Sequence, residues 1–199
     1  GEDLLAAAEA AGWAPVHRLQ AGVDVEGPLL DGVSALGSGT RVLAVYEQRW
    51  APAPLGPLAL YLHGVGDPGN VGTILRSAQA FGAACVVLGP DCADPYGPKA
   101  VRASMGALFS VPVVRAPLAD CPAPRVALVA GGGNPLRGLG VATGTLAVGA
   151  ERDGLPAALV ATCERIAHIP IASESLNAAM AATVALYEWS HRVGDDGGT

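Results

Sequence analysis

The sequence predicts a doubly wound α/β domain built on a largely parallel sheet, and three observations predict it. From residue 58 onward, short apolar runs alternate with helical patterns, the arrangement that buries parallel strands between helices. Hydrophobic residues make up 51% of the 199-residue chain and charged ones 15%, enough for a sizeable core. Three stretches end an apolar run in glycines and polar residues before a helical pattern resumes: HGVGDPGNVGTILRSAQAFGA at 63–83, LAVGAERDGLP at 146–156 and IPIASESLNAAMAA at 169–182. α/β proteins build ligand sites at such strand ends.

The elements follow in order. Residues 2–11 read as a helix closed by Gly12, VHRL at 16–19 as a strand, PLLDGVSAL at 28–36 as a helix and TRVLAVYEQ at 40–48 as a strand, which makes 1–49 an α/β fragment. WAPAPLGP at 50–57 carries three prolines and a glycine and marks a linker. The main domain, 58–193, then reads as strand 58–62, helix 69–81, strand 84–88, helix 98–108, strands 111–114, 126–130 and 145–149, helix 156–163, strand 166–169 and helix 175–191. The GDDGGT tail at 194–199 is expected to be disordered.

Composition narrows the class. No apolar run approaches the ~20 residues of a membrane span, and no leader opens the chain, so a soluble cytoplasmic protein is expected. Cys85, Cys92, Cys121 and Cys163 form no C-x-x-C pair and no zinc spacing, which predicts reduced thiols and no metal. A net charge of −6 argues against a protein that coats nucleic acid without specificity. It leaves room for a local basic face, and Lys99 is the only lysine among the twelve basic residues, the rest being arginines suited to bidentate phosphate contacts.

Gly64, Gly66 and Gly69 spell G-x-G-x-x-G between a strand and a helix, and Asp91 follows near the ~20-residue offset of a ribose-binding acid. A dinucleotide-binding oxidoreductase is therefore one reading. Pro68 inside the turn and Arg76 two turns into the helix speak against it, and it leaves the two later glycine stretches without a role.

The residues themselves leave choices open. Asn70 stands where an N-cap is expected, and capping alone would account for it. Arg76 is an isolated charge in NVGTILRSAQAFG, whose Val71, Ile74, Leu75, Ala78 and Phe81 form the buried stripe; it is either a ligand contact or a solvated surface charge. Glu151 lies between Gly149 and Gly154, in a turn where backbone can approach a bound molecule or where an acid is simply solvated. Ser175 is a good N-cap for the last helix, whose Met180, Val184, Tyr187 and Trp189 are apolar. Gly131 and Gly132, in GGGNPL, permit either close approach to a ligand or a plain flexible loop.

Taken together, N-x-G-x-x-x-R at 70–76, G-x-E-x-x-G at 149–154 and Ser-Leu-Asn at 175–177 resemble the three motifs of the SpoU/TrmH family of RNA ribose 2′-O-methyltransferases, a branch of the knotted SPOUT superfamily. The resemblance covers residues 58–191. It implies a SPOUT-type α/β fold with a C-terminal trefoil knot, S-adenosyl-L-methionine as cofactor, and a homodimer acting on structured RNA, ribosomal RNA ahead of transfer RNA. It implies Asn70, Arg76, Glu151, Ser175 and Asn177 as catalytic residues. Gly131, Gly132, Gly149, Ile169, Ser175, Leu176 and Asn177 are implied around the cofactor. Between Ile169 and Leu176 the chain is about two residues shorter than the family spacing. An L30e-like RNA-binding domain precedes the catalytic one in the family; residues 1–49 are shorter than that and open inside a helical pattern, which predicts a partial domain with a truncated start. Lys99, Arg102 and Ser104 are expected on an RNA-backbone face, or equally on a solvated helix edge. His63 is a minor site candidate. A non-catalytic RNA-binding paralogue that keeps the cofactor pocket is the alternative from another class.

Overall fold

In the computed structural model, which describes residues 2–34, 39–139 and 143–193, the chain separates into two units, residues 1–49 and 50–199. The first holds α1 (Glu2–Ala10), β1 (His17–Gln20), α2 (Gly27–Val33) and β2 (Val42–Val45), with β1 and β2 antiparallel and Arg18 opposite Ala44. Glu2 and Asp3 in the first turn of α1 suit the positive end of its dipole. Behind the helix, the Arg49 guanidinium sits 4.3 Å from the centre of the Trp13 ring. α2 ends earlier than the sequence reading expects, because Ser34 adopts an extended backbone. The last two residues of the expected 28–36 helix, and the 194–199 tail, lie outside the described residues.

The second unit runs β3 (Leu58–Leu62), α3 (Pro68–Ala80), β4 (Cys85–Leu88), α4 (Pro98–Ala103), β5 (Val113–Arg115), β6 (Arg125–Val129), β7 (Asn134–Pro135), β8 (Gly144–Val148), α5 (Ala157–Val160), β9 (Arg165–His168) and α6 (Ala178–Val193). Its seven strands are parallel in the order β5-β4-β3-β8-β6-β9-β7. β8 lies between β3 and β6 although it follows β6 in the chain. Residues 50–57 contain no helix or strand; the Ala51 amide donates to the Val113 carbonyl, and Trp50 meets Tyr96 edge-on.

Every residue of β3, β4 and β8 is buried, as a sheet covered on both faces requires. The two-residue period of β3 sends Leu58, Leu60 and Leu62 into one core with Ile74, Leu75, Leu186 and Trp189 of α3 and α6. Ala59 and Tyr61 point into the other, with Val87, Leu118 and Leu155.

The remaining departures from the sequence reading are local. The expected 98–108 helix stops at Ala103, because Met105 (φ 50°) and Gly106 (φ 93°) turn left-handed and the chain resumes as a 3₁₀ turn at Ala107–Phe109. The expected 156–163 helix is a single turn. β7, hidden in GGGNPL, is an additional two-residue strand on β9.

Candidate functional site

β8, β6 and β9 are neighbours in the sheet, and their carboxyl ends open together into a cleft of about 160 Å³, far above the ~10–15 Å³ that one water needs. Leu128–Ala130 at the end of β6, Val148–Arg152 at the end of β8, and Ile169 and Ile171 after β9 line it, with Ser175, Leu176 and Ala178 closing one side. Its floor is apolar. Its charged lining consists of Glu151 and Arg152.

The three glycine-punctuated stretches meet at its rim through a chain of side-chain hydrogen bonds. Asn70 Nδ2 donates to Glu151 Oε1 at 2.5 Å, and Asn177 Nδ2 donates to Asn70 Oδ1 at 3.2 Å. Asn177 Oδ1 in turn accepts from the amides of Ala179 and Met180 at 2.9 and 3.3 Å. The polarity of this chain is set at both ends: an ionised carboxylate only accepts, and the free amides at a helix start only donate. Both asparagine amides are therefore held in one orientation, and residues 81 and 107 apart in sequence are locked together.

Two helix starts differ from expectation. Asp67 caps α3, accepting from the Asn70 amide at 3.0 Å with Pro68 following, so Asn70 sits inside the first turn with its side chain free for the cleft rim. Asn177 caps α6, which leaves Ser175 exposed on the cleft wall. Lys99 lies 2.7 Å from Asp67; that contact and the Asn70 amide hold the Asp67 carboxyl below the usual carboxylate range.

Gly149 lines the cleft, but the constraint on it comes from its own turn. A Cβ there would run into the backbone of Gly154 and Leu155, whose turn is closed by paired hydrogen bonds between Ala150 and Gly154. Leu176 and Ile169 line the cleft, whereas Gly131 and Gly132 are exposed beyond its lining, with His168 Nδ1 donating to the Gly132 carbonyl at 2.9 Å. Arg76 is exposed on α3, away from the cleft lining, and no hydrogen bond or ion pair holds it among the described residues. Ser104 is a correction to the proposed RNA face: it is fully buried, its hydroxyl donating to the Val101 carbonyl at 2.8 Å. Arg102 is exposed and Lys99 is paired with Asp67. His63 donates its amide to the Val148 carbonyl, and its Nδ1 is buried without a partner among the described residues.

Ile171 and Arg152 were not anticipated from the sequence. Ile171 belongs to an irregular segment with no periodicity to read, and Arg152 adjoins the acid that drew attention to the turn. Burial pushes all four thiols up, Cys121 to about 12, so they stay protonated at neutral pH and are poor nucleophiles. Among the described residues no group of three or more His, Cys, Asp or Glu stands together to hold a metal, and no helix is long and apolar enough to cross a membrane.

A parallel sheet with β8 inserted beside β3, and a cleft over β8, β6 and β9, define an α/β ligand-binding class distinct from the dinucleotide fold. That fold's strand order, 3-2-1-4-5-6, is not this one, and the Gly64–Gly69 turn does not line the cleft. The dinucleotide reading is thereby set aside. The SpoU rRNA Methylase family matches residues 57–187, and the chain belongs to it.

Among its relatives, the 23S rRNA (uridine(2479)-2′-O)-methyltransferase of Streptomyces viridochromogenes is 38% identical over 142 residues, covering 61% of this chain and 48% of that protein. The 23S rRNA (guanosine(2553)-2′-O)-methyltransferase RlmP of Bacillus subtilis is 34% identical over 64% of this chain and 56% of that protein. The chain thus spans about half the length of these curated relatives. Among solved structures, the SpoU methyltransferase AviRb of Streptomyces viridochromogenes in complex with AdoMet superposes with a TM-score of 0.86 at 28% identity, covering 100% of this chain and 90% of that one. The AdoMet-bound rRNA methyltransferase of Sinorhizobium meliloti gives 0.86 at 28% identity, covering 97% and 86%.

Proposed function

We propose that the chain transfers the methyl group of S-adenosyl-L-methionine to a ribose 2′-hydroxyl of structured RNA, ribosomal RNA ahead of transfer RNA, as a cytoplasmic homodimer. The observation that carries this reading is the Glu151–Asn70–Asn177 chain, which brings all three family motifs to the rim of one apolar cleft. The cleft residues fit a nucleoside cofactor: Leu128, Val148, Ile169 and Leu176 offer apolar surface to an adenine ring, and the strand ends offer backbone polar groups to its edge.

When bound, the cofactor supplies an electrophilic methyl on its sulfonium. Glu151, fixed by Asn70, orients the rim. Arg76 carries a guanidinium, a poor general base. Its role is to clamp phosphate and ribose oxygens and to stabilise the developing alkoxide, while a phosphate oxygen or water takes the proton.

Met180, Val184 and Tyr187 expose an apolar stripe on α6, and α6 packs on α3 through the Ser77 and Thr183 hydroxyls (2.6 Å) and an edge contact between Phe81 and Tyr187. That stripe supports a two-fold pairing of chains, with Arg76 on the adjoining helix. The insertion of β8 between β3 and β6, which precedes it in the chain, supports a trefoil knot in the C-terminal part. We assign residues 1–49 to an L30e-like RNA-binding domain, 50–57 to a linker and 58–193 to the methyltransferase domain.

Calorimetric titration with S-adenosylhomocysteine and, separately, NADH tests the class. Binding of S-adenosylhomocysteine alone is expected. Binding of NADH alone would overturn the reading.

A further inference from the structure

The charged side chains of the cleft stand at one point, and that point carries both signs of charge. Glu151 and Arg152 are consecutive, both line the cleft, and they occupy a turn held rigid by the Ala150–Gly154 hydrogen bonds. One Glu151 oxygen is committed to Asn70, and the second makes no hydrogen bond among the described residues. Arg152 is exposed, and no acid or carbonyl holds its guanidinium among the described residues. The other described cations near the site are elsewhere: Lys99 is paired with Asp67, and Arg76 lies outside the lining.

A lone arginine in a cleft would fit any anion. An arginine beside a half-free carboxylate at the mouth of an apolar slot fits a narrower class: a ligand with an apolar body and a zwitterionic end, an α-amino acid group carrying ammonium and carboxylate together. The guanidinium fork matches a carboxylate in bidentate geometry, and the free Glu151 oxygen matches an ammonium. A phosphate group would meet the same arginine but would be repelled by the adjacent acid.

We propose that Arg152 binds the α-carboxylate of the cofactor's amino acid tail, with Glu151 facing the ammonium, so that this turn makes the cleft selective for nucleosides that carry an amino acid. The inference rests on the methyl-transfer reading and adds to it a specificity-determining residue and the chemical group it recognises.

Two probes separate the contributions. S-Adenosylhomocysteine and 5′-methylthioadenosine share the adenosine and the thioether, and only the former has the zwitterion. By calorimetry the full chain is expected to bind S-adenosylhomocysteine well above 5′-methylthioadenosine. Arg152→Ala is expected to weaken S-adenosylhomocysteine about tenfold, the scale of losing one charged hydrogen-bonding partner at a half-open site, and to leave 5′-methylthioadenosine unchanged. Arg152→Lys keeps the charge without the fork and is expected to fall between the two.

An Arg152→Ala variant that binds both probes as the parent does would overturn the proposal; a raised KM for RNA in that variant would then mark Arg152 as a phosphate contact. Equal weakening of both probes would also overturn it, since the turn would then be acting only as scaffold. Failure of the parent chain to bind either probe would instead remove the methyl-transfer reading beneath it.

Discussion

Asn177 serves two functions that one substitution separates. Its Oδ1 caps α6 and its Nδ2 donates to Asn70. Asn177→Asp keeps an acceptor at the cap and adds a charge favoured there by the helix dipole, worth ~0.3–1 kcal/mol. The same change removes the donor and sets a carboxylate oxygen against Asn70 Oδ1, 3.2 Å from the replaced nitrogen. Asn70 has no good escape, because flipping its amide toward the new carboxylate would turn its oxygen onto Glu151. Losing the bond costs ~0.5–1.5 kcal/mol, and because the pair is exposed, water can reach the acceptor left behind, so no burial penalty adds to it. Since ~1.4 kcal/mol is tenfold in rate, kcat/KM for methyl transfer is expected to fall by up to about tenfold, while the unfolding temperature changes little because the gain at the cap offsets most of the lost bond. Asn177→Ala, which loses the cap as well, should also lower the unfolding temperature by about 2–4 °C for each kcal/mol lost. Thermal unfolding and a methyl-transfer assay on the same preparations decide the matter. An Asn177→Asp variant with parental turnover would refute the polarised chain.

Three further outcomes are expected. Gly149→Ala should destabilise the fold by about 1–3 kcal/mol through the clash with the Gly154 backbone, read as a lower denaturant midpoint. Met180→Glu combined with Val184→Glu should convert a dimer to a monomer in light scattering at micromolar concentration, since these side chains are exposed and little of the monomer's core depends on them. Arg125 hydrogen-bonds Glu164 at 2.6 Å and holds its carboxyl at about 2 against the usual 4.5. A depressed carboxylate stabilises the fold above its unfolded value and loses that contribution as pH falls through the folded one. The unfolding-temperature gap between the parent and Glu164→Gln should thus be full above pH 4.5 and close as pH approaches 2.

The sheet was legible in the sequence because β3, β4 and β8 are buried on both faces and read as unbroken apolar runs. Their order was not, since nothing local in β8 records that it slots beside β3. Helix starts were ambiguous for a related reason. Asp67 and Asn70, or Ser175 and Asn177, are all competent caps within one turn, and the choice is made by partners such as Glu151, 81 residues from Asn70. The composition of the site was readable from its motifs, whereas the reasons behind single residues were not. Gly149 is required by a backbone crossing visible only in three dimensions, and Ser104, polar in sequence, satisfies its hydroxyl locally and is buried. Arg76 stood out as the one charge in an otherwise uncharged helical stretch, and it is exposed and unpaired among the described residues.

Incubating the chain with methyl-labelled S-adenosyl-L-methionine and ribosomal RNA, then digesting to nucleosides and locating the label by mass spectrometry, tests the central claim most directly. The label is expected in a 2′-O-methylnucleoside, with the yield falling about a hundredfold or more in Arg76→Ala while that variant's affinity for S-adenosylhomocysteine is unchanged. Label on a base, or undiminished ribose methylation by Arg76→Ala, would contradict it.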